Sequence, residues 1–102
     1  MTCNIENGIY ICDGYEDVNT FDLLYMSKDF QAPTAHEVSL VEIGDYLEVI
    51  NDGERFWTKV INREFPCCHF VATIQDDLKM PHPFSKGDNI KFYKFNIYSI
   101  RK

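Results

Sequence analysis

The sequence predicts an α+β domain that is mainly antiparallel β: a small twisted sheet or SH3-like half-barrel with one short N-terminal helix. Three observations lead there. From residue 38 onward the apolar period becomes two, the spacing at which alternate side chains share one side of a strand. Asn51-Asp52-Gly53 sits between two such alternating runs, which signals a hairpin. The 102 residues are 45% hydrophobic and 25% charged, enough to fill one core and too few for two domains.

The elements follow in order. Residues 8–12 (GIYIC) are a short apolar run that reads as a strand, and residues 13–19 are acidic and turn-like. Residues 20–28 (TFDLLYMSK) read as a helix. Thr20 suits its cap, Asp22 its first turn and Lys28 its last, and Phe21, Leu24 and Tyr25 share one face. Residues 31–37 form a connector carrying Pro33. VSLVEIGDYLEVI and ERFWTKVI then flank the Asn-Asp-Gly turn, Pro66 interrupts the chain, and CCHFVATI resumes the alternation. The stretch QDDLKMPHPFSKGD is too rich in proline and charge for a strand, and NIKFYK and NIYSI read as two final strands. The chain is thus one domain, 1–102, with a strand-and-helix cover at 1–37 and a β core at 38–102.

Alternation sorts the side chains. Leu47, Val49, Phe56, Val60, Phe70, Ala72, Ile74, Ile90 and Phe92 fall on one side, a sufficient interior. The other side is not cleanly polar. Tyr46, Ile50, Trp57, Ile61, Val71 and Tyr93 alternate there with Glu48, Arg55, Lys59, Thr73 and Lys91. A second apolar face must be covered or must bind something. The N-terminal strand and helix are expected to cover part of it. Tyr46, Arg55, Trp57, Lys59 and Tyr93 form the candidate binding rim, since Trp, Tyr and Arg dominate interfaces.

Charge is uneven. Residues 1–52 carry eleven acids and one base, Lys28, whereas residues 53–102 carry five acids and nine bases, within a net charge of −6. The basic residues Lys86, Lys91, Lys94 and Arg101 alternate with aromatics including Tyr98. That mixture suits phosphate contact and base stacking, an alternative nucleic-acid site, although an acidic chain repels phosphate.

The four cysteines are Cys3, Cys12, Cys67 and Cys68. The N-terminus shows no basic segment followed by an apolar one, so reduced thiols and a cytoplasmic location are expected. Cys67-Cys68-His69 lacks the paired spacing of a zinc site, so no metal is expected. Asp76 and Asp77 with His82 offer a conceivable acid/base cluster, but adjacent loop acids are ordinarily solvated. No apolar run is long enough for a membrane span. No nucleophile motif, phosphate loop or paired metal ligands occur, so neither an enzyme nor a cofactor is expected.

Five blocks between Glu42 and Ile100 carry a resemblance: IGDYLEV at 43–49, GERFWTKV at 53–60, FVATIQDDL at 70–78, HPFSKGDNIKF at 82–92 and NIYSI at 96–100. Their order and spacing resemble a family of small uncharacterised β-rich domains of bacteria and large DNA viruses. That family's pattern is G-D, G-E-x-F-W-V, D-N-D-L, G-D-x-I-x-F and I-x-D-I. The chain departs from it at Gln75-Asp76-Asp77-Leu78, at Ser99 and at Cys67-Cys68. The resemblance implies an intracellular protein, in the virion or infected host cell if viral, and implies no reaction. The expected function is a non-catalytic interaction or structural module whose partner is a protein or a second copy. A nucleic-acid-binding barrel and a nucleotide-type small-molecule binder are the alternatives.

Overall fold

A computed structural model describes residues 3–17, 33–64 and 69–102. Seven strands form one mixed sheet: β1 (Cys3–Glu6), β2 (Ile9–Cys12), β3 (Tyr46–Asn51), β4 (Glu54–Glu64), β5 (His69–Ile74), β6 (Asn89–Tyr93) and β7 (Ile97–Arg101). Their spatial order is β1-β2-β6-β5-β4-β3-β7. The expectation of a β-rich fold therefore holds, with one qualification to "antiparallel". β2 joins β6 in parallel through Ile9↔Asn89 and Tyr10↔Ile90, while every other pairing is antiparallel. The predicted helix at 20–28 lies outside the described residues.

β3 and β4 form the expected hairpin, with Asp52 (φ 49°) and Gly53 (φ 84°) both left-handed. Two consecutive positive φ values are what a tight hairpin turn matching strand twist requires. β1 and β2 make a second hairpin through Asn7 (φ 53°) and Gly8 (φ 77°), with Cys3 directly opposite Cys12. Those two cysteines form a disulfide, so the expectation of reduced thiols is corrected for this pair. Cross-strand register brings them together, which their separation in sequence does not reveal.

β6 and β7 are joined by one 3-10 turn, Lys94–Asn96, yet four strand spacings separate them in the sheet. Laid flat, that separation is about 19 Å, whereas three 3-10 residues rise only about 6 Å. The run β6-β5-β4-β3-β7 must therefore curl. Its concave side holds the core, and all nine residues predicted to face inward are buried there. Val38, Val41, Phe84 and Ile97 complete the interior, with Tyr10 and Tyr15 packed against it. Thr58, fully buried among them, donates from Oγ1 to the carbonyl of Leu47 at 2.8 Å, which removes the cost of an unpaired hydroxyl.

A short helix, α1 (Ala35–Ser39), occupies part of the expected connector. Thr34 and Glu37 form a reciprocal capping box: Glu37 N donates to Thr34 Oγ1 at 3.1 Å and Thr34 N to Glu37 Oε1 at 3.0 Å. These bonds hold the Glu37 carboxyl below its ordinary range. Val38 drops from this helix into the core.

Two turns dock on neighbouring strands in the same way. Gly44 N donates to the Val60 carbonyl and Val60 N to the Asp45 carbonyl; Gly87 N donates to the Ile74 carbonyl and Ile74 N to the Asp88 carbonyl. In each turn the aspartate carboxylate accepts from the amide three residues earlier, Glu42 N or Ser85 N, at 2.9 Å. These carboxylates bond preceding amides because each turn folds back over the residue three before its aspartate.

Candidate interaction face

The convex side of β3, β4 and β7 displays the residues of the predicted rim. Register places Lys59, Tyr46 and Arg101 in one row across three strands, and Trp57, Glu48 and Ser99 in the next. Each basic side chain lies over a ring. The Arg101 guanidinium sits 4.7 Å from the centre of the Trp57 rings, Arg55 4.8 Å from Tyr98, and the Lys59 ammonium 5.8 Å from Tyr46. The aromatic rings are half-buried and the cations exposed. Each such pair at an exposed site contributes about 0.5–1 kcal/mol.

Two irregularities shape this face. Ile61 is an extra residue in β4, between Val60↔Ala72 and Asn62↔Val71. Tyr98 is an extra residue in β7, between Ile97↔Val49 and Ser99↔Glu48. Bulges re-aim side chains. At the first Ile61 is 42% exposed, and at the second Tyr98 lies against Arg55. Beyond the first bulge Arg63 lies opposite Phe70, its guanidinium 5.3 Å from that ring, and donates to the carbonyls of Ser39 and Val41.

Tyr46, Arg55, Trp57 and Lys59 are thus brought together, and Tyr98 and Arg101 join them. Tyr93 is not part of the group. It lies on β6, two strands from β4, beside His69 and Phe95 at 5.2 Å between ring centres. The predicted nucleic-acid set is divided as well. Lys91, paired with Glu64 at 2.8 Å, and Lys94, over Phe95, belong to the β6 end, with Lys86 on the loop before it. Tyr98 and Arg101 are on β7, each against a β4 side chain.

The face is bordered by the 75–88 loop. Asp76 accepts from Trp57 N at 2.8 Å, and Gln75 N donates to the Trp57 carbonyl at 2.9 Å. His82 does not meet Asp76 or Asp77. Its side chain is fully buried between Asn51 Oδ1 (3.1 Å from Nδ1) and Glu54 Oε1 (2.8 Å from Nε2), stacked on Phe84. Asn51 Nδ2 donates to the Asp13 carbonyl, which fixes the direction of its amide. Glu54 also accepts from Lys79 N and Met80 N. Burial pushes its carboxyl up, but these bonds and His82 outweigh that and leave it below the ordinary carboxylate range. The fully buried Asn51 and the inserted ring of Phe84 mark this latch as structural. Sequence spacing offers no signal for it, because its members come from β3, β4 and the loop.

Among the described residues no group of three or more His, Cys, Asp or Glu side chains is placed to hold a metal ion, and no helix is long and apolar enough to cross a membrane. An open groove of about 390 Å³ runs past Tyr15, His69, Lys91, Tyr93 and Asn96. Among the described residues, Tyr15 Oη and His69 Nδ1 are buried without hydrogen-bond partners, and burial pushes the Tyr15 phenol up. Comparison with family models, curated proteins and solved structures found no match.

Proposed function

We propose that this chain is a non-catalytic protein-interaction module: an SH3-like small barrel whose convex face, built on Tyr46, Arg55, Trp57 and Lys59, receives a carboxylate-bearing protein segment. One observation carries the reading. In a chain of net charge −6, three cations are gathered on one sheet face, each over an aromatic ring. Glu48 is the acid in their midst. Aromatic rings with arginine are the composition of interface anchors, and complementary charge steers encounter and selects partners. The half-barrel reading is supported by the three-residue link between β6 and β7, which demands a curled sheet.

The nucleic-acid alternative is less favoured by the same geometry. Arg101 lies over Trp57 and Arg55 over Tyr98, so stacking a base on either ring requires displacing a guanidinium. The remaining basic residues of that set sit at the β6 end of the sheet.

Trp57 is the single tryptophan, so its emission reports on the face directly. Titration of the full chain with poly-L-glutamate at low ionic strength is expected to shift that emission. The shift should disappear in high salt, as screened pairs require, and weaken in Arg101→Gln. Emission unmoved by poly-L-glutamate, or moved by oligo-deoxythymidine alone, overturns the reading.

A further inference from the structure

Beside the cationic rows lies an apolar patch that the charges do not explain. Leu40 is 52% exposed, Ile43 67% and Ile61 42%. Backbone bonds hold them close together. Gly44 N donates to the Val60 carbonyl, and Val60 N to the Asp45 carbonyl, so the turn carrying Ile43 is clipped to β4 next to Ile61. Lys102 Nζ donates both to the Leu40 carbonyl at 2.6 Å and to Asp45 Oδ2 at 2.8 Å, tying the residue after α1 to the same turn. Ile61 is two residues beyond Lys59 on β4, and Lys59 shares its row with Tyr46 and Arg101. Ile61 continues the outward alternation of Trp57 and Lys59, which displays its side chain at the border of the cationic face.

An exposed apolar cluster that borders a charged one marks a contact surface, and the adjoining charge defines what it contacts. We infer that the partner is an extended acidic segment that also carries large apolar side chains: its carboxylates meet Lys59 and Arg101, and an apolar side chain seats on Leu40, Ile43 and Ile61. This rests on the interaction reading above and adds a second, non-electrostatic determinant to it. Charge attracts many acidic chains; the apolar seat selects among them.

Two Glu-rich synthetic peptides of equal charge separate the two claims, one with spaced leucines and one with alanines in their place. Binding to the full chain is read by anisotropy of the labelled peptide. The leucine peptide is expected to bind about tenfold more tightly, the worth of one well-buried apolar group. Ile43→Ser with Ile61→Ser is expected to abolish that preference and leave binding of the alanine peptide unchanged. Both sites are exposed; should the pair nonetheless fail to fold, Ile43→Ser alone, in the turn, reads the same preference. Equal affinity of the unaltered chain for the two peptides overturns the inference while leaving the cationic face standing, as does a leucine preference that survives the substitutions. Binding of neither peptide overturns both readings.

Discussion

Asp45 and Asp88 hold two separate turns by the same bonds. Each carboxylate accepts from the amide three residues before it, each main-chain N–H returns to the carbonyl of that residue, and each carbonyl accepts from a neighbouring strand. Asp45 differs in one respect, its 2.8 Å ion pair with Lys102. Although burial pushes its carboxyl up, Lys102 and the Glu42 amide together hold it below the usual range.

Substituting either aspartate by alanine should therefore cost about 1–2 kcal/mol, since a charge-assisted bond to a backbone amide is lost. Urea titration checks this. The excess loss at Asp45 over Asp88 should shrink in high salt, because it comes from a solvent-facing ion pair.

The core face predicts large effects. Phe70→Ala and Phe92→Ala should each destabilise by about 3–5 kcal/mol, the range for deleting a buried phenylalanine; both rings are almost fully buried and lie 6.2 Å apart. Phe84→Ala should fall in the same range although no strand contains it, because its ring stacks on Tyr15 and His82 inside the core. Equilibrium unfolding of the three variants measures this.

Acid should weaken the latch. The Glu54 carboxyl is held below its ordinary value of 4.5 in the folded chain. A depressed folded value stabilises above the unfolded value, and that contribution is lost as pH falls through the folded one. Glu54→Gln should accordingly flatten the decline in stability on the acid side of pH 4.5, measured as the urea midpoint against pH.

Reduction should loosen the β1–β2 hairpin. The Cys3–Cys12 bond closes a short loop, and chain-entropy arguments give about 3 kcal/mol for a loop of this size. Cys3→Ser, or the unaltered chain in reductant, should lose about that much stability in a urea titration. Peptide mapping without reductant should recover the two cysteines in one linked fragment.

The legible part of this molecule is local. Alternation along β3 to β6 identifies nine core residues, because a sheet buried on one side writes its face at period two. The Asn-Asp-Gly hairpin is legible for a similar reason. α1 carried a readable signal in Thr34-Ala-His-Glu37, a capping box that the neighbouring Pro33 masks as a connector. β1 carries little signal, since Asn4 and Glu6 are polar and its strand is mostly exposed. The rest depends on tertiary neighbours. Parity places Tyr93 and Trp57 on one face but cannot show that β5 lies between their strands. Arg101 reaches Trp57 only because β7 returns to β3, and a bulge in β7 displaces Tyr98 toward Arg55.

The three-residue link between β6 and β7 has a kinetic consequence. β4, β5 and β6 each pair with the strand just before them in the chain, by contacts of modest sequence separation, whereas β7 pairs with β3, joining Tyr46 to Arg101. Closing so large a loop costs entropy before any contact repays it. The meander can therefore assemble first, and until β7 arrives the side of β3 that it will cover presents unpaired backbone groups, an edge open to association with other chains. Docking of five residues, Ile97–Arg101, ends that exposure. Refolding yield should accordingly fall with protein concentration more steeply than native solubility does.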